Sequence, residues 1–177
     1  MNLSSIAFAT AMFVAASGAL AQGAAAPGGP SDAQIAHIVV TANQVDIDAG
    51  KLAEAKGANK DVKAFGKQMV TDHTGVNKQA TELATKLKLT PQDNPTSQSL
   101  KKGGEENVAK LKTLSGAAFD KAYIEHEVAY HQQVLDAIDK TLIPNAKNAE
   151  LKDLIVKVRP AFVGHLEHAK QIQGTLK

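Results

Sequence analysis

The sequence contains no cysteine and no tryptophan, and aromatic side chains make up 4% of its residues. Without cysteine the chain cannot form a disulfide, bind metal through thiolates, carry c-type haem or accept a lipid on a cysteine behind a signal sequence. The net charge is +2, with both signs scattered and no basic block. Nucleic-acid binding is not expected, because the chain has neither a positive patch nor a surface for base stacking.

Enzyme signatures are also lacking. The sequence has no G-x-S-x-G motif and no glycine-rich loop that could hold a phosphate. No serine is placed by helical spacing near a histidine on an apolar helix face. We therefore predict no catalytic residue, and an enzymatic function is not favoured.

The N-terminal region has the features of a secretory signal. Residues 1–21 contain no charged side chain, Ile6–Ala16 is apolar, and Ala19-Leu20-Ala21 fits the small-residue cleavage motif. The apolar run is too short to cross a bilayer of about 30 Å as a helix, and no later run is apolar enough to do so. We predict a signal peptide over residues 1–21, a flexible leader over 22–30 and a single domain over 31–177 of an exported protein.

Apolar residues recur every three or four positions through most of the predicted domain, which is the pattern of helices that face a common core. Helix starts are indicated by a Ser31/Gln34 capping box, by Asn59 and by Asn148. The predicted helices 1 to 4 cover residues 31–57, 59–87, 117–142 and 148–177, and a short helix over 100–114 follows a loop at 90–99. No segment shows the two-residue alternation of strands. The predicted fold is all-α, an antiparallel four-helix bundle with an extra short helix between helices 2 and 3.

Three histidines occupy positions on apolar helix faces where leucine would be usual. They are His73, His131 and His165, each on a different predicted helix. A buried imidazole needs a hydrogen-bond partner, a proton or a metal ion. Their convergence in one core is therefore the main indication of chemistry in this sequence.

Acidic residues of helix 1 are spaced to join His73. Folding helices 1 and 2 into a hairpin puts His73 level with Asn43 and leaves Asp46 about 4.5 Å away along the axis. Asp48 follows two residues later. Both aspartates are therefore candidate metal ligands beside His73.

Helices 3 and 4 supply the other candidates. Glu127 stands one turn before His131 and shares its face, and folding the two helices together offsets His131 from His165 by about 7–8 Å. Imidazole and carboxylate ligands in a bundle would suit zinc, iron, copper or manganese. In the alternative interpretation, each histidine donates to a backbone carbonyl or a carboxylate and only packs the core.

The Glu-x-x-His signature of di-iron bundles is missing from the sequence. Three residues before the three histidines stand Val70, Val128 and Phe162. Because that signature supplies both the carboxylate and the imidazole ligands of such sites, a standard di-iron oxidase centre is not predicted.

Several stretches resemble the exported bacterial family called domain of unknown function 4142. They are Asp46–Ala53, Val62–His73, Leu114–Tyr123, His131 and Pro160–His165. The resemblance implies a ferritin-like form of the four-helix bundle, located in the periplasm. It also places the family's Asp-His pair at Asp72 and His73, which adds Asp72 to the candidate metal ligands. Family members are often labelled outer-membrane proteins, but we expect the periplasm because the sequence has no strand pattern.

Three functional hypotheses fit these patterns. The first is a non-catalytic envelope protein for binding or stress protection. The second is a metal-binding protein with a His/carboxylate site in the bundle core, used for metal buffering or redox protection. The third is assembly, as a homo-oligomer or with another partner, through an exposed row of Phe119, Tyr123 and Tyr130.

Overall fold

The structure is a computed structural model in which residues 28–176 are described. The long helices are α1 (Asp32–Lys56), α2 (Lys60–Lys86), α3 (Pro95–Thr113), α4 (Gly116–Ala137) and α5 (Ala149–Thr175). No strand occurs in this part of the chain, and the all-α class is confirmed. The predicted signal peptide and residues 22–27 of the predicted leader lie outside the described residues.

Polar side chains cap the N-termini of three helices at the positions that the sequence predicts. The Ser31 hydroxyl accepts from the Gln34 N–H (3.3 Å) and the Gln34 side chain accepts from the Ser31 N–H (3.0 Å), which completes the capping box. Asn59 and Asn148 accept from backbone N–H groups in the first turns of α2 and α5. Because the first N–H groups of a helix have no partner within it, these caps fix where the helices start.

The start of α3 corrects the predicted loop. The helix begins at Pro95 and not at Leu100, so the loop predicted over residues 90–99 is wrong in its second half. Asn94 and Ser97 form a second reciprocal capping box. Pro95 lies in the first turn, where its missing N–H would have had no helical partner. The proline therefore starts a helix instead of marking a loop.

The end of α4 also differs from the prediction of a regular helix to Leu142. At Ala137 the helix passes into a π-helical turn, Ile138–Leu142, and then into a last turn, Ile143–Asn145. Both Ile138 and Leu142 are buried. Turns of this kind are rare and often lie beside functional sites.

Hydrogen bonds between helices show the antiparallel packing of two hairpins. They join Val40 to Asn77 and Asn43 to His73 between α1 and α2, and Asp139 of the π-helical turn after α4 to Arg159 of α5. The extra helix α3 lies along α1, where Lys56 Nζ donates to the carbonyl oxygens of Leu111 and Lys112. The short links between α1 and α2 and between α4 and α5 predict that the helices of each hairpin pack against each other.

The core consists of two apolar clusters with a polar layer between them. Ile38 and Leu135 belong to one cluster, and Phe65 and Phe119 belong to the other. On α1, α2, α4 and α5, buried acidic and imidazole side chains occupy the level between these clusters. The polar layer contains the candidate site.

The aromatic row of α4 is part of the core. Phe119 and Tyr123 are 0% exposed and Tyr130 is 6% exposed. The Tyr130 hydroxyl donates to the Ala42 carbonyl oxygen of α1 (3.1 Å), and Leu111 of α3 packs in the same cluster as Phe119. The exposed row that we expected for assembly is therefore wrong, because α1 and α3 cover it.

Helices α1 and α2 approach closely at two glycines. A Cβ on Gly66 would lie 2.7 Å from both the Gly50 carbonyl oxygen and the Ala53 Cβ. We expect Gly66→Ala to lower the free energy of unfolding by about 1–3 kcal/mol in urea denaturation, because a helix backbone must shift. Gly75→Ala, where no atom lies within 4 Å, is the control and should raise it by about 0.5–1 kcal/mol. Equal effects of the two changes would contradict the close approach.

Candidate metal centre

The three predicted histidines converge in the polar layer. His73 of α2, His131 of α4 and His165 of α5 are 1%, 0% and 3% exposed. Their ring centroids lie 5.7, 5.2 and 5.5 Å apart in pairs. One ring nitrogen from each lies within 4.8 Å of the other two, so the three rings are close enough to be candidate ligands of one ion.

Each imidazole uses one nitrogen to fix its orientation. The hydrogen bonds run from His73 Nδ1 to Asn43 Oδ1 (2.7 Å), from His131 Nδ1 to the Glu127 carbonyl oxygen (3.0 Å) and from His165 Nε2 to Asp72 Oδ2 (2.8 Å). The Asn43 amide nitrogen donates to the Val39 carbonyl oxygen (2.8 Å), which turns the amide oxygen towards His73. Since all three partners are acceptors, we assign the proton of each neutral ring to the bonded nitrogen.

The remaining ring nitrogens are the ones that a metal would use. His73 Nε2, His131 Nε2 and His165 Nδ1 are shielded from solvent and have no hydrogen-bond partner. With the proton on the opposite nitrogen, each of them carries a free lone pair. Metal-binding histidines are typically held in this way, by a carbonyl or carboxylate on the nitrogen that does not bind the metal.

Burial favours the neutral form of all three rings. Burial and the neighbouring His131 hold the pKa of His73 well below its usual value, and burial lowers the pKa of His131 to about 3. Burial also lowers the pKa of His165, although the hydrogen bond to Asp72 opposes this shift. The rings are therefore unprotonated at neutral pH, which is the form that binds metal.

Two buried carboxyl groups lie beside the imidazoles. Asp46 of α1 and Glu127 of α4 are 1% and 0% exposed, and none of their carboxyl oxygens has a hydrogen-bond partner. Asp46 Oδ2 lies 3.5 Å from His73 Nε2. Asp46, Glu127 and His131 each offer a ligand atom within 4.8 Å of the other two.

These carboxyl groups need a proton or a cation. Burial raises the pKa of Asp46 well above its usual value and raises that of Glu127 to about 8. Within residues 28–176, both carboxyls approach histidines and neither forms an ion pair with lysine or arginine. Because a buried carboxylate without a counter-charge is strongly disfavoured, a divalent metal ion would balance the charge of this pair.

The predicted acidic ligands occupy different positions relative to the three histidines. Asp46 and Glu127 lie in the cluster, whereas Asp72 lies behind His165 as its hydrogen-bond partner. Asp48 lies outside, with a side chain that is 51% exposed and 3.8 Å from Lys51 Nζ. Two residues turn a helix by about 200°, so Asp46 and Asp48 cannot both face the core, and the inclusion of Asp48 is corrected.

Sequence reasoning missed the role of Asn43. We placed it level with His73 but did not consider it as a partner. Asn43 is 1% exposed and lies three residues before Asp46, on the same face of α1. A buried amide at that spacing from a candidate ligand is the signal that could have identified it.

Asp72, the hydrogen-bond partner of His165, can be changed without altering the core. The Asp72 side chain is 41% exposed, so Asp72→Ala should leave the fold intact and release the orientation of His165. We expect this change to weaken zinc binding about 10- to 100-fold, as loss of such partners does elsewhere, in a competition titration with a chelator. Glu82→Ala, an exposed acidic position on the same helix, is the matched control and should bind as the wild type does. An unchanged affinity in Asp72→Ala would show that His165 is not a ligand.

A family model described as Domain of unknown function (DUF4142) matches residues 17–172. The chain belongs to this family. The resemblance inferred from the sequence is confirmed, and the segment matched to DUF4142 includes the three histidines and both buried carboxyls of the centre. No curated protein matches the chain.

One solved structure similar to this DUF4142 chain is the crystal structure of a DUF305 fragment from Deinococcus radiodurans. The TM-score is 0.72 and the sequence identity is 14%, over 85% of this chain and 99% of that one. At this level of identity the similarity concerns the fold alone. Among the described helices of the DUF4142 chain, none has both the length and the apolar composition of a membrane span.

Proposed function

We propose that this protein binds one divalent transition-metal ion in the core of its bundle. The ligands are His73, His131 and His165, with Asp46 as the fourth. The observation that carries the proposal is the set of three buried, unpartnered ring nitrogens, each opposite a nitrogen that is already hydrogen-bonded. Glu127 lies close enough to Asp46 and His131 to balance the charge of the ion or to replace Asp46.

The donor set favours zinc or copper among the four metals considered. Three imidazoles and a carboxylate provide nitrogen-rich ligation without thiolates, which suits Zn²⁺ and Cu²⁺. Copper binds most tightly in the first-row series, and manganese and ferrous iron stand at its weak end. We therefore expect both Zn²⁺ and Cu²⁺ to outcompete Mn²⁺ and Fe²⁺ at this site.

Metal buffering or redox protection in the periplasm fits this site better than catalysis. The ligand side chains are at most 3% exposed, and four protein ligands would leave no open position for a substrate. Export follows from the predicted signal peptide, and we propose a ferritin-like arrangement of the bundle. The second candidate, an envelope protein whose histidines only pack the core, is favoured by the one hydrogen bond that each ring makes. If the histidines only pack the core, however, three ring nitrogens and two carboxyl groups stay buried without partners, which is energetically unfavourable.

The metal content of the protein tests the proposal. Untagged protein purified from the periplasm is analysed by mass spectrometry for metals, and metal-free protein is then titrated with Zn²⁺ and Cu²⁺. We expect one ion per chain, with an affinity that survives a competing chelator. His37→Ala is the control, because His37 is part-exposed beside Asp93 and lies about 13 Å along α1 from Asp46; it should keep full stoichiometry. Protein that neither carries nor takes up a stoichiometric ion would support the packing interpretation instead.

A further inference from the structure

A cavity of about 530 Å³ lies next to the metal centre, between α1, α3, α4 and α5. Most of its lining is aliphatic, and no lysine, arginine, aspartate or glutamate takes part in it. Cavities that bind small molecules typically have volumes of about 300–1,000 Å³ and mainly apolar walls. The size and lining of this cavity therefore match those of a site for an uncharged small molecule.

The cavity exists because α3 bridges its neighbours without filling the space between them. Only Ser97, Gly104 and Leu111 of α3 are buried. Gly103, which has no side chain to occupy the space, lines the cavity on this side. Ile138 and Leu142 of the π-helical turn also line it. A loosely packed helix and a widened turn thus border the same cavity.

One polar side chain in the wall lacks a partner. His126 lines the cavity, and its Nε2 is shielded from solvent without a hydrogen bond. Its ring stacks on Tyr130, with centroids 5.5 Å apart and planes at 17°. An unpaired nitrogen in a mainly apolar wall is unfavourable unless a ligand bonds to it, and it would orient a ligand that carries a polar group.

We propose that this cavity binds one uncharged, mainly aromatic or aliphatic molecule that carries a single hydroxyl or N–H group for His126 Nε2. Such a molecule would fill the space under α3, stack near Tyr130 and meet no charged group. Binding of a small molecule in this cavity does not depend on metal binding, although Asn43 and Phe162 belong to the surroundings of both sites.

Fluorescence of N-phenyl-1-naphthylamine, an uncharged aromatic amine with one N–H, tests the cavity. The full chain contains no tryptophan, so the background is low, and the titration is done on metal-free and zinc-loaded protein. We expect saturable binding at one site per chain in both forms. Gly103→Leu and Ala137→Phe, which enlarge side chains at two lining positions on different helices, should each weaken binding at least about tenfold. Gly164→Leu is the matched control, since it is exposed with no atom within 4 Å, and it should bind as the wild type does.

Competition between two ligands of similar size tests the role of His126. We expect 1-naphthol to displace the probe about three- to tenfold better than 1-methylnaphthalene, the range for one neutral hydrogen bond. His126→Phe should abolish this preference. The proposal is overturned if the probe shows no saturable binding, if both wall variants bind it like the wild type, or if the preference for naphthol persists in His126→Phe.

Discussion

Replacing His131 with alanine is expected to weaken zinc binding by about 10²–10³-fold. Structural zinc sites have apparent binding free energies of about 10–16 kcal/mol, so each of four ligands accounts for roughly 3–4 kcal/mol, and about 1.4 kcal/mol corresponds to a tenfold change in affinity. His73→Ala and His165→Ala should have effects of similar size. The measurement is a zinc titration against a chelator of known affinity.

The pattern across variants separates a metal site from a packing role. His37→Ala and His126→Phe change histidines outside the proposed ligand set and should keep wild-type affinity. Because alanine at a core position leaves a cavity, the thermal unfolding of each metal-free variant is measured alongside. A His131→Ala variant that remains folded and still binds one zinc ion with wild-type affinity would contradict the assigned ligands.

Three buried imidazoles with lowered pKa values outnumber two buried carboxyls with raised pKa values, so the stability of the metal-free protein is expected to be greatest near pH 6.5. The folded pKa of His131 is about 3, against about 6.5 when unfolded, so its contribution is complete above 6.5 and is lost as the pH falls towards 3. The folded pKa of Glu127 is about 8 against an ordinary 4.5, so its contribution is complete below 4.5 and is lost as the pH rises towards 8. Each such group changes the free energy of unfolding by up to about 1.4 kcal/mol per pH unit.

Zinc should change this pH profile, because it binds the unprotonated forms of the ligands. At a free zinc concentration about 1,000 times the Kd, the gain in stability is about 4 kcal/mol, which for a domain of this size raises Tm by about 8–16 °C. We expect the gain to be largest at pH 8 and to fade towards pH 5. Glu127→Gln is the control: it should reduce the decline of the metal-free protein above pH 6.5, to which Asp46 also contributes. In this variant one of the two opposing carboxyl changes is absent, and a metal-free Tm that stays flat between pH 7 and pH 5 would contradict neutral, buried imidazoles.

The convergence of the histidines could be predicted because helical periodicity is a local property. His73, His131 and His165 each replace an apolar residue in a repeating pattern, and a bundle turns all such faces inward. The alignment of His73 with Asn43 could be predicted from the short link between α1 and α2. The hydrogen bond between them confirms that alignment.

Other features depend on interactions that cannot be inferred from helical periodicity. The hydrogen bonds to Asn43 and Asp72 depend on side-chain rotamers and on the rotation of facing helices, and a rotation error of one residue moves a side chain by about 100°. The inclusion of Asp48 had another cause, because its spacing of two residues from Asp46 already places it on the other side of α1. The π-helical turn at Ile138–Leu142 carries no signal in its residues, and the cavity results from how α3 rests on its neighbours rather than from any motif.

X-ray absorption at the zinc edge of the one-to-one complex identifies the atoms that bind the ion. Scattering from imidazole rings distinguishes histidine ligands from carboxylate and water, and zinc–nitrogen bonds are about 2.0–2.1 Å long. The account predicts three imidazoles and one oxygen ligand, with two imidazoles left in His131→Ala. A zinc ion surrounded by oxygen with one imidazole or none would contradict it.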